Sequence, residues 1–285
     1  QMANLKEIRA RLAAQANKSN RNNSNDGNNP IYLHWKIADG STAILRFLDD
    51  GDESNTFFWV ERAMINLEFN GIKGDPTAGA TVVKVPCMEM YDGKKCAVLT
   101  EVRTWFKDPA MEEMGRKYWK KRSYIFQGFV RDDPMGGETP ENPIRRFMIS
   151  PSIFNIIKTS LMDPEMENSP TDLVAGLDFR ILKQSKGDHA NYDSSSWSRK
   201  ETGLTEDELA AIEKYGLNDL SSFLPKEPTE EVQKVIVEMF EASVDGEAYD
   251  KEKWGSYYVP YGMDKTGDNT GDSKPAKVKE AVIVE

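Results

Sequence analysis

Residues 115–130 read GRKYWKKRSYIFQGFV, and the way this stretch is parsed decides the fold of everything around it. Arg116, Lys117, Lys120, Lys121 and Arg122 crowd together with no acid between them. Immediately afterwards Tyr124 and Phe126 alternate with other side chains and Phe129 follows, the pattern of a strand with aromatics to place. The stretch therefore reads as a basic helix end, covering residues 110–119, running into a strand over residues 122–130.

Upstream, residues 32–37, 42–48, 56–67 and 82–85 are short β-rich runs separated by the turn-forming ADGS, DDGDES and GIKGDPTAG. A further helix is expected over residues 94–106, ended by Asp108 and Pro109. Downstream, residues 145–149 form a strand, and Ser150 with Pro151 opens a helix whose buried face is Ile153, Ile156, Ile157 and Leu161. Residues 177–183 return to a strand, and a polar loop leads to Trp197. Thr205 and Glu208 make a capping box for a helix ending at Tyr215 before Gly216. From Thr229, the positions Val232, Val235, Ile236, Met239 and Phe240 fall at i, i+3, i+4, i+7 and i+8, a core-facing helical stripe.

This order predicts an α+β chain that is mainly β. Its core is expected to be a five-stranded, partly open barrel of the oligonucleotide-binding (OB) type with helical insertions and flexible N- and C-terminal arms. A ferredoxin-like or other α+β arrangement fits the same string. The expected divisions are a basic arm and linker at residues 1–29, a core at residues 30–245 and a mildly acidic tail at residues 246–285. Within the arm, Leu5, Ile8 and Leu12 lie at helical spacing, and NKSNRNNSNDGNN after them has the composition of a linker.

Composition sets the limits on function. Across 285 residues, 39% hydrophobic and 29% charged content describes a globular chain, and no apolar run reaches the roughly 18 residues that span a bilayer. The two cysteines, Cys87 and Cys96, are too few for a disulfide framework and suit a reducing compartment. No P-loop or GxGxxG occurs. The carboxylate pairs Asp49 with Asp50 and Asp132 with Asp133 sit beside Gly51 and Pro134, where turn chemistry accounts for them, so no catalytic residue is assigned. A closed metal site needs four ligands, and only His34 and His189 could join the cysteines, so no metal is assigned either.

The net charge of -10 argues against a polyanionic partner until its distribution is considered. The cations gather in residues 2–36 and 115–122, and much of the acidic excess follows Thr205. Such segregation suits a basic groove on an acidic body. In the groove, Arg103, Arg116, Lys117, Lys120, Lys121 and Arg122 would hold phosphates while bases stack on Tyr118, Trp119, Tyr124 or Phe126. Arg145, Arg146 and Phe147 form a second basic and aromatic group, and Tyr192 lies in a polar loop where core packing alone does not explain it. Solvated cations and aromatics turned into the core are the plain structural alternative.

The order of LAAQ at residues 12–15, AILRFL at 43–48, KKRSY followed by DDP at 120–124 and 132–134, and FRILKQSKGDHANYDSSSW at 179–197 resembles the T-even-type bacteriophage single-stranded DNA-binding, helix-destabilising proteins. The resemblance implies an OB-fold and cooperative coating of single strands during DNA replication, recombination and repair in the cytoplasm of an infected bacterium. It also implies contacts with polymerase, helicase loader and recombinase. By position, Tyr91, Lys120, Lys121, Tyr124 and Tyr192 match family residues associated with the DNA groove. The family's arm docks on the neighbouring protomer; here Lys6, Arg9, Arg11 and Leu12 stand in its place, though the family consensus is absent. Zinc-bearing members use three cysteines and a histidine, whereas here only Cys87 and Cys96 remain and Leu99 stands near a ligand position, so loss of the metal is expected. Ile125 replaces the family's Trp, leaving Trp119 or Phe126 to take over its stacking role. From residue 241 onward ten acids face six lysines, a net of -4 and milder than the family's acidic flap. An RNA-binding regulator and a protein-recruiting scaffold that binds no nucleic acid are the alternatives.

Overall fold

The computed structural model describes residues 30–271. The arm residues Lys6, Arg9, Arg11 and Leu12 and the end of the tail lie outside the described residues. In chain order the strands and helices are β1 Thr42–Leu48, β2 Val60–Phe69, β3 Thr81–Pro86, α1 Ala97–Trp105, α2 Glu112–Tyr118, β4 Lys121–Asp132, β5 Arg145–Ile149 and α3 Pro151–Leu161. They continue with β6 Phe179–Leu182, β7 Gln184–Lys186, β8 His189–Asn191, β9 Ser196–Trp197, α4 Glu206–Tyr215, α5 Glu230–Val244 and α6 Lys251–Trp254. The architecture is mixed α+β, and its strand pairing is mostly antiparallel. No described helix is long and apolar enough to cross a membrane.

The chain folds as two compact units rather than the single core expected over residues 30–245. In the first, residues 30–60 and 123–223, β4 pairs antiparallel with β1 and β5, β1 with β6, and β6 with β9. Phe47 is the hub of its core, within 4.7 Å of Phe126, 5.7 Å of Phe147 and 5.9 Å of both Phe179 and Trp197 by ring centroids. The β-rich run at residues 32–37 is not a strand: His34–Lys36 is a single 3-10 turn, and Tyr32 anchors it in the core. Likewise the run from Thr56 becomes a strand only at Val60, after an irregular FFW segment. The predicted capping box is present, with Glu208 N donating to Thr205 Oγ1 at 3.2 Å and Thr205 N donating to Glu208 Oε1 at 2.9 Å.

A buried charge network ties together the loops of this unit. Arg46, fully buried on β1, donates to Asp178 Oδ1 at 3.2 Å, Thr202 Oγ1 at 3.0 Å and the Asp172 carbonyl at 2.9 Å. Arg131 reaches the same Asp178 at 3.0 Å and Glu208 at 2.7 Å. Burial lowers the Arg46 pKa, and the Arg131 charge adds to that effect. At Arg131, the effect of burial is outweighed by the hydrogen bonds it donates to Glu208 and by the Asp178 charge, which raise the pKa. Gly176 is required here because a Cβ would collide with the Arg46 guanidinium and with backbone carbonyls.

The second unit, residues 61–122 and 224–271, pairs β2 with β3 and packs α1, α2 and α5 around a core of Val85, Leu99, Tyr118, Ile236, Met239 and Phe240. The α5 stripe behaves as predicted, and Thr229 caps it by accepting from Val232 N. The tail expected from residue 246 does not begin there. Tyr249 and Trp254 are buried in this core beside Phe69, at centroid distances of 5.7 and 5.3 Å. Two aromatics of this size supply more burial than the surrounding Gly, Asp and Lys composition suggests.

Candidate nucleic-acid interface

In the second unit the basic run keeps its cations at the surface, each beside an oxygen. Arg116 pairs with Glu112 at 2.6 Å, Lys117 with Glu68 at 3.5 Å and Arg122 with Glu61 at 2.8 Å, all between exposed side chains. Lys121 Nζ donates to the Arg116 carbonyl at 3.3 Å. Pairs of this kind contribute about 0–1 kcal/mol and yield readily to a competing anion. Lys120 differs: it reaches Glu89 at 2.6 Å with its side chain only 13% exposed and that of Glu89 18% exposed. Glu89, on the 3-10 turn Met88–Met90, also accepts from Arg103 of α1. Burial alone would raise the Glu89 carboxyl, but hydrogen bonds from Lys120 and Arg103 outweigh it and hold the carboxyl below its ordinary range.

Trp119 ends α2 half-buried, with the Arg103 guanidinium 5.3 Å from its ring centroid and Phe106 edge-on at 5.6 Å. It is the aromatic of the run that stays near the surface. Tyr118 is not a stacking surface: it is 1% exposed, and its hydroxyl is hydrogen-bonded to Ser243 at 2.8 Å. Tyr91, also in this unit, is partly buried and donates to the Pro225 carbonyl at 2.6 Å.

The remaining sequence-predicted residues lie in the first unit. Phe126 and Phe147 are fully buried in its core, which removes both as base platforms. The cause is that β4 is covered on both faces, by the Phe47 cluster on one and by Leu48, Ile144 and Ala211 around Phe129 on the other. Tyr124 is buried, with Phe154 stacked on it at 3.6 Å and 12°. Arg145 lies 5.5 Å from the Tyr32 ring centroid, and Arg146 lies 3.4 Å from that of Phe223. Burial lowers the Arg145 pKa and brings that of Arg146 to about 10. Tyr192 is half-buried, edge-on to His34 at 5.9 Å, and burial raises its hydroxyl pKa. A cavity of about 600 Å³ opens beside Arg131 and Arg145, but Asp133, Glu138 and Glu208 also line it, so its charge is mixed.

One aromatic group went unread in the sequence. Phe57 is 57% exposed and stacks on Trp59 at 4.7 Å and 21°. Trp59 in turn meets Phe154 edge-on at 5.3 Å. The signal available was the FFW run itself, since three successive aromatics cannot all turn to one face of a strand.

Cys87 and Cys96 are both buried, and their thiols are hydrogen-bonded to each other. That bond, aided by the backbone amides of Leu99, Met88 and Val98, lowers Cys96 to about 6 against the effect of burial and raises Cys87. Leu99 is packed in the core, and among the described residues no group of three or more His, Cys, Asp or Glu side chains converges as a metal site. Two thiols do not fit a four-ligand zinc. Neither a family model nor a curated protein matches the chain.

Proposed function

We propose that this chain is a non-enzymatic protein that binds single-stranded DNA cooperatively and with little sequence preference, acting in bacteriophage replication, recombination and repair. The observation that carries the reading is the surface of the second unit around residues 116–122. There Trp119 stays half-buried beneath the Arg103 guanidinium, and Arg116, Lys117, Lys121 and Arg122 are exposed, held only by surface carboxylates or a carbonyl. Phosphates exchange with those carboxylates at little cost, and an aromatic beside a row of cations is the chemistry that holds single strands.

The strand connections of the first unit support an OB-type core. In chain order, β1, β4 and β5 precede α3, and β6 and β9 follow it; β1 pairs with both β4 and β6, and β6 with β9. This is the order of a five-stranded oligonucleotide-binding barrel left open between its third and fifth strands. Self-association along the strand through Lys6, Arg9, Arg11 and Leu12, recruitment of polymerase, helicase loader and recombinase, and a site of action in the host cytoplasm complete the proposal.

Its test is the triple variant Lys120→Ala, Lys121→Ala, Arg122→Ala. Affinity for a single-stranded oligonucleotide should fall, and the slope of log K against log salt should flatten by about 2, roughly 0.7 per lost phosphate contact. An unchanged slope in a folded variant removes this segment from the interface.

A further inference from the structure

We propose that Phe57 is a base-stacking subsite in the first unit, taking one unpaired nucleobase on the ring face that Trp59 leaves open. The inference rests on the single-strand reading above and adds to it a contact that the resemblance does not assign. A phenylalanine 57% exposed forfeits much of the free energy its ring would gain by burial, so the turn that presents it calls for an explanation. That turn is built rather than loose. The Asn55 side chain accepts from Phe57 N at 3.0 Å, and its amide donates to Asp50 Oδ2 at 2.9 Å and to the Trp59 carbonyl at 3.0 Å. Asp50, itself buried, accepts from Leu220 N at 2.9 Å and Asp52 N at 3.1 Å. The shelf is thus fixed before any ligand arrives.

Beneath it runs a chain of aromatic contacts: Phe57 stacked on Trp59, Trp59 edge-on to Phe154 at 5.3 Å, and Phe154 stacked on Tyr124 at 3.6 Å. A base placed on Phe57 extends this series by one ring. The size of the surface favours that occupant. One open ring face matches a nucleobase, whereas a stable protein partner needs about 800 Å² on each side. The neighbouring Asp52 and Glu53 are acidic and exposed or nearly so, which disfavours phosphate at this point. The subsite therefore holds the base and leaves the backbone to other contacts.

The experiment compares wild type with Phe57→Ala, Phe57→Leu and Phe57→Tyr on a short thymidine oligomer and an abasic oligomer of equal length, across a salt series. Wild type should prefer the thymidine oligomer. Phe57→Ala and Phe57→Leu should lose roughly 5- to 150-fold in thymidine affinity, the worth of one stacked base, with little change on the abasic strand or in the salt slope. Phe57→Tyr should retain wild-type behaviour. Wild-type affinity in the Ala and Leu variants overturns the subsite and leaves the single-strand reading standing. Rescue by Leu equal to that by Tyr also overturns it, since apolar contact without a π-face then suffices. Failure of wild type to bind either oligomer overturns the functional reading, and the subsite with it.

Discussion

In the proposed interface Glu89 competes with phosphate for two of the cations, Lys120 and Arg103, so neutralising it should strengthen binding. The substitution Glu89→Gln keeps the shape and removes the charge. In the free protein Glu89 holds Lys120 at 2.6 Å and also accepts from Arg103, whose guanidinium lies over Trp119. A phosphate must draw both cations away. The Arg103 side chain is half exposed, which places its share near the low end of the roughly 0.2–1 kcal/mol range of surface pairs; the better-covered Lys120 lies at or above the upper end. Together they set a cost of about 1–1.5 kcal/mol, or about 5- to 12-fold in affinity. The salt slope should steepen as well, by up to about 1.4, because two cations no longer exchange one carboxylate for another anion. The assay is fluorescence anisotropy of a labelled thymidine oligomer at several salt concentrations. Glu165→Gln, at an exposed position in the first unit, controls for the change in net charge. Thermal melting separates the effect on the fold, which should be a loss, since Lys120 keeps little exposure and no counter-charge. A folded Glu89→Gln protein that binds no more tightly than the control would refute the assignment of Lys120 and Arg103 to phosphate.

Two further predictions concern the first unit. Asp178→Ala leaves the fully buried Arg46 and its neighbour Arg131 without their shared carboxylate, and should cost about 3–5 kcal/mol in urea unfolding; a loss below about 1 kcal/mol would show that Thr202 and the Asp172 carbonyl suffice. Burial lowers His34 to about 4, so between pH 6.5 and 4 the unfolded chain takes up a proton that the folded chain refuses. The stability from keeping His34 neutral is complete above about pH 6.5 and falls by about 2.5 kcal/mol on going to pH 4.5. His34→Phe should lose that much less over the same interval, and equal losses in both proteins would contradict the assignment.

The parts of the fold legible in the sequence were those fixed by short-range patterns. β1 occupies the expected run at residues 42–48, the Thr205 and Glu208 box forms, and the α5 stripe is buried where its spacing places it. What period-2 alternation cannot report is whether the second face of a strand is also covered. That is why Phe126 and Phe147 read as surface aromatics and are core, and Tyr118 fails at a helix end for the related reason that Ser243 meets its hydroxyl from far along the chain. The cations were legible, but their carboxylate partners were not, because Glu61, Glu68 and Glu89 reach residues 117–122 only through tertiary folding. The continuation of the second core to Tyr249 and Trp254 was hidden by local composition. Two large rings at the right distance from Phe69 outweigh a surrounding segment without periodicity.

The most direct test of the central claim is a titration of tryptophan fluorescence with a long thymidine homopolymer and with a matched duplex, at several salt concentrations. The account predicts tight, cooperative and salt-sensitive quenching by the single strand, with Trp119 and Trp59 the tryptophans nearest the bases, and a much weaker response to duplex. An equal response to both polymers, or none to either, would contradict it and leave a protein whose basic run serves only its own ion pairs.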